Sequence, residues 1–311
     1  MGSSSSTKNP WLIEGLTRRA SVDFCEGNFE SSRWVAEPYN TVSAAPLIAL
    51  GAYGMHRSLR AGESAGFAML FGLLALVGLG TVALHATLTT AGQACDEVPM
   101  LLLALGLASC LESGRGTEGL AVPTALASVA TVVWYFKFQH LYAVFIASYS
   151  LIVAYIVLRL GAVALTKRPK NDAVRRDVIR PLFCYGIGAY VGLGFVAWTT
   201  DMLLCDSVSQ LLFGGLLLHP LWHFGSGVGS WCALYATIAA REEFRLLSSS
   251  STRRQGGPGP TDGPGKKGGG KVGGEVGGKV VDLVWLASVL PCVDHGRLLK
   301  TQPTPPDKKA L

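Results

Sequence analysis

Two histidines four residues apart, His219 and His223, stand in the apolar run Leu-Leu-Leu-His-Pro-Leu-Trp-His-Phe. In an α-helix that spacing puts both imidazoles on one face with Cβ atoms roughly 6 Å apart, close enough to chelate one metal ion. A third histidine, His85, ends another apolar run, and Asp96 and Glu97 follow shortly after it. Three neutral imidazoles with one open position form a catalytic zinc arrangement. Such an ion lowers the pKa of bound water to roughly 7. Asp96 is then placed to take or deliver a proton. Thr81, one turn before His85, has a hydroxyl on the same face that could donate to a developing oxyanion. Taken singly, each histidine also reads as an interhelical hydrogen-bonding residue. His56, His140 and His295 fall in loops or the tail and read as solvated.

A second group of candidates precedes the first apolar run, in Ser-Val-Asp-Phe-Cys-Glu-Gly-Asn-Phe-Glu. Asp23, Glu26, Asn28 and Glu37 supply hard oxygen donors of the kind Ca²⁺ takes six to eight of, together with a main-chain carbonyl. The spacing is not that of an EF-hand, and a helix cap with a solvated acidic turn accounts for the same residues. Glu37 stands apart from the others because an apolar helix begins there.

These residues sit in a chain that is 49% hydrophobic and only 15% charged, against about a quarter charged in soluble domains. Mean hydropathy is +0.35. The pattern is that of an all-α integral membrane protein. Seven apolar stretches, at about 35–55, 66–85, 98–112, 120–136, 141–160, 181–199 and 211–240, predict a seven-transmembrane helix bundle; most approach the ~20 residues needed to cross ~30 Å of hydrocarbon. The third is short, and gains length if it starts near Gln93. Domain organisation follows as an extramembrane segment at 1–34, a helical domain at 35–240 and a tail at 241–311. The tail is rich in Gly, Pro, Ser and Lys from about 247 to 280, too poor in apolar residues to fold, and has no expected catalytic role. Val280–Leu290 is apolar but too short to span.

The net charge of +6 does not indicate nucleic acid, because the basic residues lie mostly between the apolar runs and in the tail, without interleaved aromatics. Arg57 and Arg60, the cluster from Arg159 to Arg180, and Arg241 with Arg245 fall in alternate loops, while 86–97, 137–140 and 200–210 carry only Lys137. The positive-inside rule then places the C-terminus in the cytosol and the N-terminus on the far side, although Arg18, Arg19 and Arg33 run against it. His85, Asp96, His219 and His223 all fall at that far face. The chain starts with polar residues and no cleavable signal; Met-Gly-Ser-Ser-Ser-Ser fits a myristoylation pattern, with a serine-rich disordered start as the plainer reading. Seven scattered cysteines without a CxxC pair argue against a zinc–thiolate site.

Four stretches in order carry a resemblance: Val-Asp-Phe-Cys-Glu-Gly-Asn-Phe with Ala-Glu-Pro-Tyr-Asn-Thr-Val-Ser, Gly-Leu-Gly-Thr-Val-Ala-Leu-His-Ala-Thr-Leu, Gln-Ala-Cys-Asp-Glu-Val-Pro-Met, and His-Pro-Leu-Trp-His. Over about residues 20–240 the chain resembles the alkaline ceramidases, seven-helix membrane amidases. The resemblance implies Zn²⁺ on His85, His219 and His223, with Asp96 assisting the metal's water. It implies Ca²⁺ on Asp23, Glu26, Asn28, Glu37 and the carbonyl of Phe24. It further implies cleavage of the ceramide amide to a sphingoid base and a fatty acid, in the endoplasmic reticulum or Golgi membrane. The family usually has Trp where this chain has Phe24, and Ser where it has Thr81, whose extra methyl stiffens χ1. Cys25 and Cys205 both fall on the non-cytosolic side, where a disulfide is permitted; it would tie the calcium segment to the loop before the last span. Rival expectations are a receptor-like protein of the progestin and adiponectin receptor type, and a transporter or structural membrane protein with histidines as interhelical contacts.

Overall fold

The computed structural model describes residues 18–113, 121–166, 174–211, 218–255, 282–286 and 290–294. The serine-rich start, His295 and the Gly-rich stretch from 256 to 280 lie outside them. Helices follow one another as α1 (Pro38–Ser43), α2 (Ala45–Ala61), α3 (Ala65–Thr87), α4 (Thr90–Ser113), α5 (Ala121–Phe138) and α6 (Tyr142–Leu165). There follows a composite rod made of the π-helical π1 (Arg175–Ile179), α7 (Arg180–Ile187), the π-helical π2 (Gly188–Phe195) and α8 (Val196–Leu211), and then α9 (Leu218–Gln255). Near the C-terminus β1 (Asp282–Leu286) pairs antiparallel with β2 (Leu290–Asp294), so the apolar segment at 280–290 contributes to a hairpin.

Four helical stretches among the described residues are long and apolar enough to cross a membrane: Ala65–Thr87, Thr90–Glu112, Tyr142–Leu165 and Arg175–Cys205; Val122–Phe138 is apolar but shorter. The first, at 23 residues, spans about 35 Å at 1.5 Å per residue. Helices α2 and α9 are absent from that group: α2 is 17 residues long and carries His56, Arg57 and Arg60 near its end, while α9 carries His219 and His223 and runs on into a charged end. Leucines and valines such as Leu151, Leu158, Leu203 and Val122 point outward, as expected where lipid rather than water surrounds the bundle.

The boundaries differ from the sequence expectation in three places. Residues 90–97, expected in a loop, form the first two turns of α4, so Asp96 and Glu97 sit inside a helix. Buried protein neighbours rather than lipid accommodate their polarity. Residues 200–210 are helical too, in α8, with a kink at Leu204. The last helix does not end at 240 but continues to Gln255, where the apolar pattern gives way to helix-forming Arg and Glu residues.

Close backbone crossings build the core. Gly80 of α3 lies so tightly against the Cys95 carbonyl of α4 that a Cβ there would collide with it. Gly225 of α9 meets the Ala189 carbonyl and Gly194 of π2 in the same way. Small residues at such crossings let helices approach without the water-driven force that packs soluble cores. Trp231, Phe67, Phe71, Leu70 and Leu74 fill the buried interior. The segment before α1 is sewn over the α3–α4 junction by backbone hydrogen bonds. Ala20 donates to Leu88 O (2.8 Å), Thr90 to Arg18 O (2.8 Å), Ala36 to Ala86 O (3.1 Å) and Glu37 to His85 O (3.0 Å). Leu88 takes the left-handed conformation there, φ 49°, with its N–H on the Leu84 carbonyl (2.7 Å) and its own carbonyl accepting from Ala20. Gly80→Ala is expected to lower stability by about 1–3 kcal/mol through overpacking. Gly66→Ala, whose Cβ would meet only Ser64 Oγ at 3.9 Å, is not; thermal unfolding of both variants in detergent checks the difference.

Candidate metal centre

The last turn of α3 and the first two turns of α9 bring the three histidines together. His85, His219 and His223 are each at most 3% exposed. One nitrogen from each lies within 4.8 Å of the others, and the ring centroids are 5.0, 5.0 and 4.7 Å apart. Among the described residues this is the His, Cys, Asp and Glu set whose donor atoms converge.

Hydrogen bonding fixes which nitrogens face the centre. His85 Nδ1 is 2.5 Å from Glu37 Oε2, and an ionised carboxylate only accepts. The ring proton is therefore on Nδ1 and the Nε2 lone pair is left for an ion. His223 Nδ1 is 2.7 Å from Ser43 Oγ. Ser43 spends its own proton on the Asn40 carbonyl, 2.8 Å away, so its oxygen accepts from His223, and that Nε2 is also a lone pair. Metal-binding imidazoles are regularly oriented by a partner on the other nitrogen in this way. His219 Nδ1 makes no hydrogen bond and lies 3.9 Å from Asp201 Oδ2. Asp201 is itself buried at 1% exposure and accepts a hydrogen bond from the Cys25 N–H at 3.3 Å. The Phe24 ring packs 4.0 Å from the His219 ring and 4.8 Å from His85, an apolar lid over two of the three imidazoles.

Beside the histidines, Thr81 Oγ is 2.7 Å from Asp96 Oδ1 and 2.9 Å from the Val77 carbonyl. One hydroxyl proton serves both acceptors. On this geometry Thr81 orients Asp96, instead of holding a donor ready for an oxyanion as the sequence suggested. Thr81, Asp96, His219 and His223 share one wall of a cavity of about 330 Å³ whose remaining lining is mostly apolar.

The oxygen-rich residues lie on the far side of His85. Asp23 accepts from Asn28 Nδ2 (2.9 Å) and from Arg19 (2.5 Å). Glu26 caps α1, its two oxygens each accepting a backbone N–H at 2.8 Å, from Tyr39 and Asn40. Burial pushes the Glu26 carboxyl above its usual range against the pull of those two N–H groups. Glu37 also accepts from Asn40 Nδ2 (3.1 Å). Two acceptors, Asn28 Oδ1 and Glu37 Oε1, are buried with no hydrogen-bond partner. Unpaired buried oxygens are costly, but the carboxylate oxygens of Asp23, Glu26 and Glu37 do not converge as the three imidazoles do. Cys25 and Cys205 form a disulfide with a Cα separation of 5.4 Å, tying this segment to α8.

Sequence reasoning missed the partners of the imidazoles. Asp201 announced itself as an acid in the run Trp-Thr-Thr-Asp-Met-Leu-Leu-Cys, but that stretch read as a loop. Ser43 ends the stretch Ala-Glu-Pro-Tyr-Asn-Thr-Val-Ser, with nothing in its type to set it apart.

A match to the Ceramidase family covers residues 17–252, and the chain belongs to that family. An alkaline ceramidase of Arabidopsis thaliana is 27% identical over 226 residues, 73% of this chain and 86% of its own length. Alkaline ceramidase 3 of Mus musculus is 25% identical over 242 residues, 71% and 84% of the two chains. Alkaline ceramidase YPC1 of Saccharomyces cerevisiae is 24% identical over 259 residues, 74% and 78%. The receptor-like alternative raised by the histidines alone is not the family matched.

Asp201→Asn is expected to weaken the affinity of the three-histidine centre for an added divalent metal about 10- to 100-fold by removing the carboxylate beside His219. Competition with a chromogenic chelator measures this directly, and unchanged affinity would show that Asp201 only holds the Cys25 backbone.

Proposed function

We propose that the chain is a zinc-dependent alkaline ceramidase of a secretory-pathway membrane, hydrolysing the N-acyl amide of a ceramide to a sphingoid base and a fatty acid. One observation carries the reading: three buried imidazoles converge, and two of them, His219 and His223, line a mostly apolar cavity together with the hydroxyl-held Asp96 carboxylate. That combination suits a substrate whose reactive amide is polar and whose two tails are not.

The donor set fits zinc, being all nitrogen and numbering three, with tautomers fixed on His85 and His223. When bound, the ion supplies Lewis acidity toward an amide carbonyl and toward water. The protein's own groups do the rest. Glu37 and Ser43 hold two rings in register, and Phe24 limits water at the centre. Asp96 takes a proton from the attacking water and delivers one to the departing nitrogen as the C–N bond breaks, so the hydroxyl of that water ends on the acyl carbon. Thr81 keeps the carboxylate pointed at the cavity. Its methyl, absent from the Ser usual in the alkaline ceramidases the chain resembles, narrows the space beside the reacting carbon.

Asp23, the Phe24 carbonyl, Glu26, Asn28 and Glu37 would hold a calcium ion, the orphaned Asn28 Oδ1 and Glu37 Oε1 being its natural first ligands. Glu37 would then serve both sites, since its Oε2 already holds His85. A calcium ion held there would order the segment and so help keep His85 aimed, without taking part in the bond chemistry. The distribution of basic residues and the Cys25–Cys205 disulfide support seven spans, a lumenal N-terminus and a cytosolic C-terminus in the endoplasmic reticulum or Golgi.

The test is a ceramide panel on protein purified with its metal. Wild type is expected to carry near-stoichiometric zinc and to release sphingoid base. His219→Ala loses both zinc and turnover. Asp96→Asn keeps zinc and falls about a hundredfold or more in kcat. A zinc-loaded wild type that leaves every ceramide intact overturns the reading. Chelation of calcium is expected to speed zinc loss from wild type; Glu37→Gln protein, in which that link is already weakened, loses zinc quickly with or without calcium.

A further inference from the structure

The cavity beside the histidines does not end in a smooth apolar wall. It meets Tyr149 of α6 and Tyr190 of π2, whose hydroxyls are 2.7 Å apart. Beyond them a second compartment of about 70 Å³ continues along Leu160, Leu182, Phe183, Gly186 and Ala233. Both phenols line both compartments, as do Met100, Leu103, Val153, Val157 and Ser230, so the pair stands within the boundary the two share. Its depth follows from the helices. Tyr149 lies seven residues along α6 from Tyr142, which lines only the first compartment, and Ser230, which lines both, lies seven residues along α9 from His223. Each interval is about 10 Å of helix.

The pair is held in place. Tyr149 stacks on Phe145 with centroids 5.8 Å apart and planes 13° from parallel. Tyr190 meets Trp222 edge-on at 5.4 Å and rests on Gly229, where any Cβ would strike its side chain. Leucine or phenylalanine would fill the same space without taking hydroxyls into a mostly apolar passage, where a polar group is costly unless paired. Each hydroxyl finds its partner across the passage, joining α6 to π2.

We propose that the Tyr149–Tyr190 hydroxyl pair is a bar across the substrate tunnel that sets how long an alkyl tail the site accepts. The inference rests on the ceramidase reading and adds its length selectivity. A tail that ends above the bar is held by the first compartment. A longer one must displace the pair, losing the hydrogen bond and the stacking, or leave the tunnel.

The experiment compares hydrolysis of ceramides with acyl chains graded in two-carbon steps. Wild type is expected to show a cutoff. Tyr190→Ala and Tyr149→Ala move it to longer tails, with a gain of roughly fourfold per added methylene accommodated. Tyr190→Leu, a milder change that preserves apolar bulk, moves it less. Ala233→Phe, which fills the far compartment, leaves the wild-type profile unchanged and cancels the gain in Tyr190→Ala. Superimposable profiles in folded, active variants overturn the bar while leaving the ceramidase reading intact. If no ceramide is cleaved, that reading fails, and thermal stabilisation by fatty acids of graded length decides the bar by itself: a cutoff that shifts in Tyr190→Ala supports it, and one that does not overturns it.

Discussion

The hydrogen bond between the Glu37 carboxylate and the His85 imidazole is where the N-terminal segment and the helical bundle become one object. Glu37 is completely buried and His85 nearly so, and neither could be placed there alone at low cost. A buried carboxylate needs donors, and a buried imidazole needs an acceptor for its one proton. Each supplies the other. The backbone repeats the join, since the Glu37 N–H donates to the His85 carbonyl. The same residue leads into α1 and α2, so Ser43 arrives beside His223 as a consequence of where Glu37 sits.

A centre of this kind requires close helices, and glycine makes the approach possible. At Gly80 the α3 backbone touches the Cys95 carbonyl, and the next residue along α3 hydrogen-bonds Asp96, the next along α4. At Gly225 and Gly229, α9 lies against π2 while His223 and Ser226 face the cavity. Tight backbone contact is thus placed within a turn of Thr81, Asp96, His223 and Ser226. The positions of these groups are inherited from main chain rather than from flexible side chains, which is the precision that metal and proton-transfer geometry requires.

Much of this was legible in the residue pattern. The His-x-x-x-His spacing is a helical statement, and α9 carries it on one face. His85 and Asp96 could be matched to it by depth, because alternating apolar runs fix which end of each span is which. The oxygen-rich segment before Glu37 stood out by type. What the pattern did not carry were groups whose role depends on a partner distant in sequence. Asp201 looks like a loop acid until Cys25 and His219 are beside it. Ser43 is an ordinary serine until its proton is seen to go to Asn40. Hydropathy assumes that polarity lies outside the membrane and so starts α4 between Gln93 and residue 98; the helix begins at Thr90, and Gln93 and Glu97 are buried.

Cys25 and Cys205 are separated by 180 residues, and the segment they clamp carries Glu37, Phe24 and the backbone that positions Asp201. His219 and His223 come later still. During synthesis, therefore, an early half-site waits with a buried-to-be carboxylate, an unmatched imidazole and an unpaired thiol until nearly the whole bundle has been inserted. The helices can enter the bilayer one after another, but the three histidines can converge only once the last helix has joined the bundle.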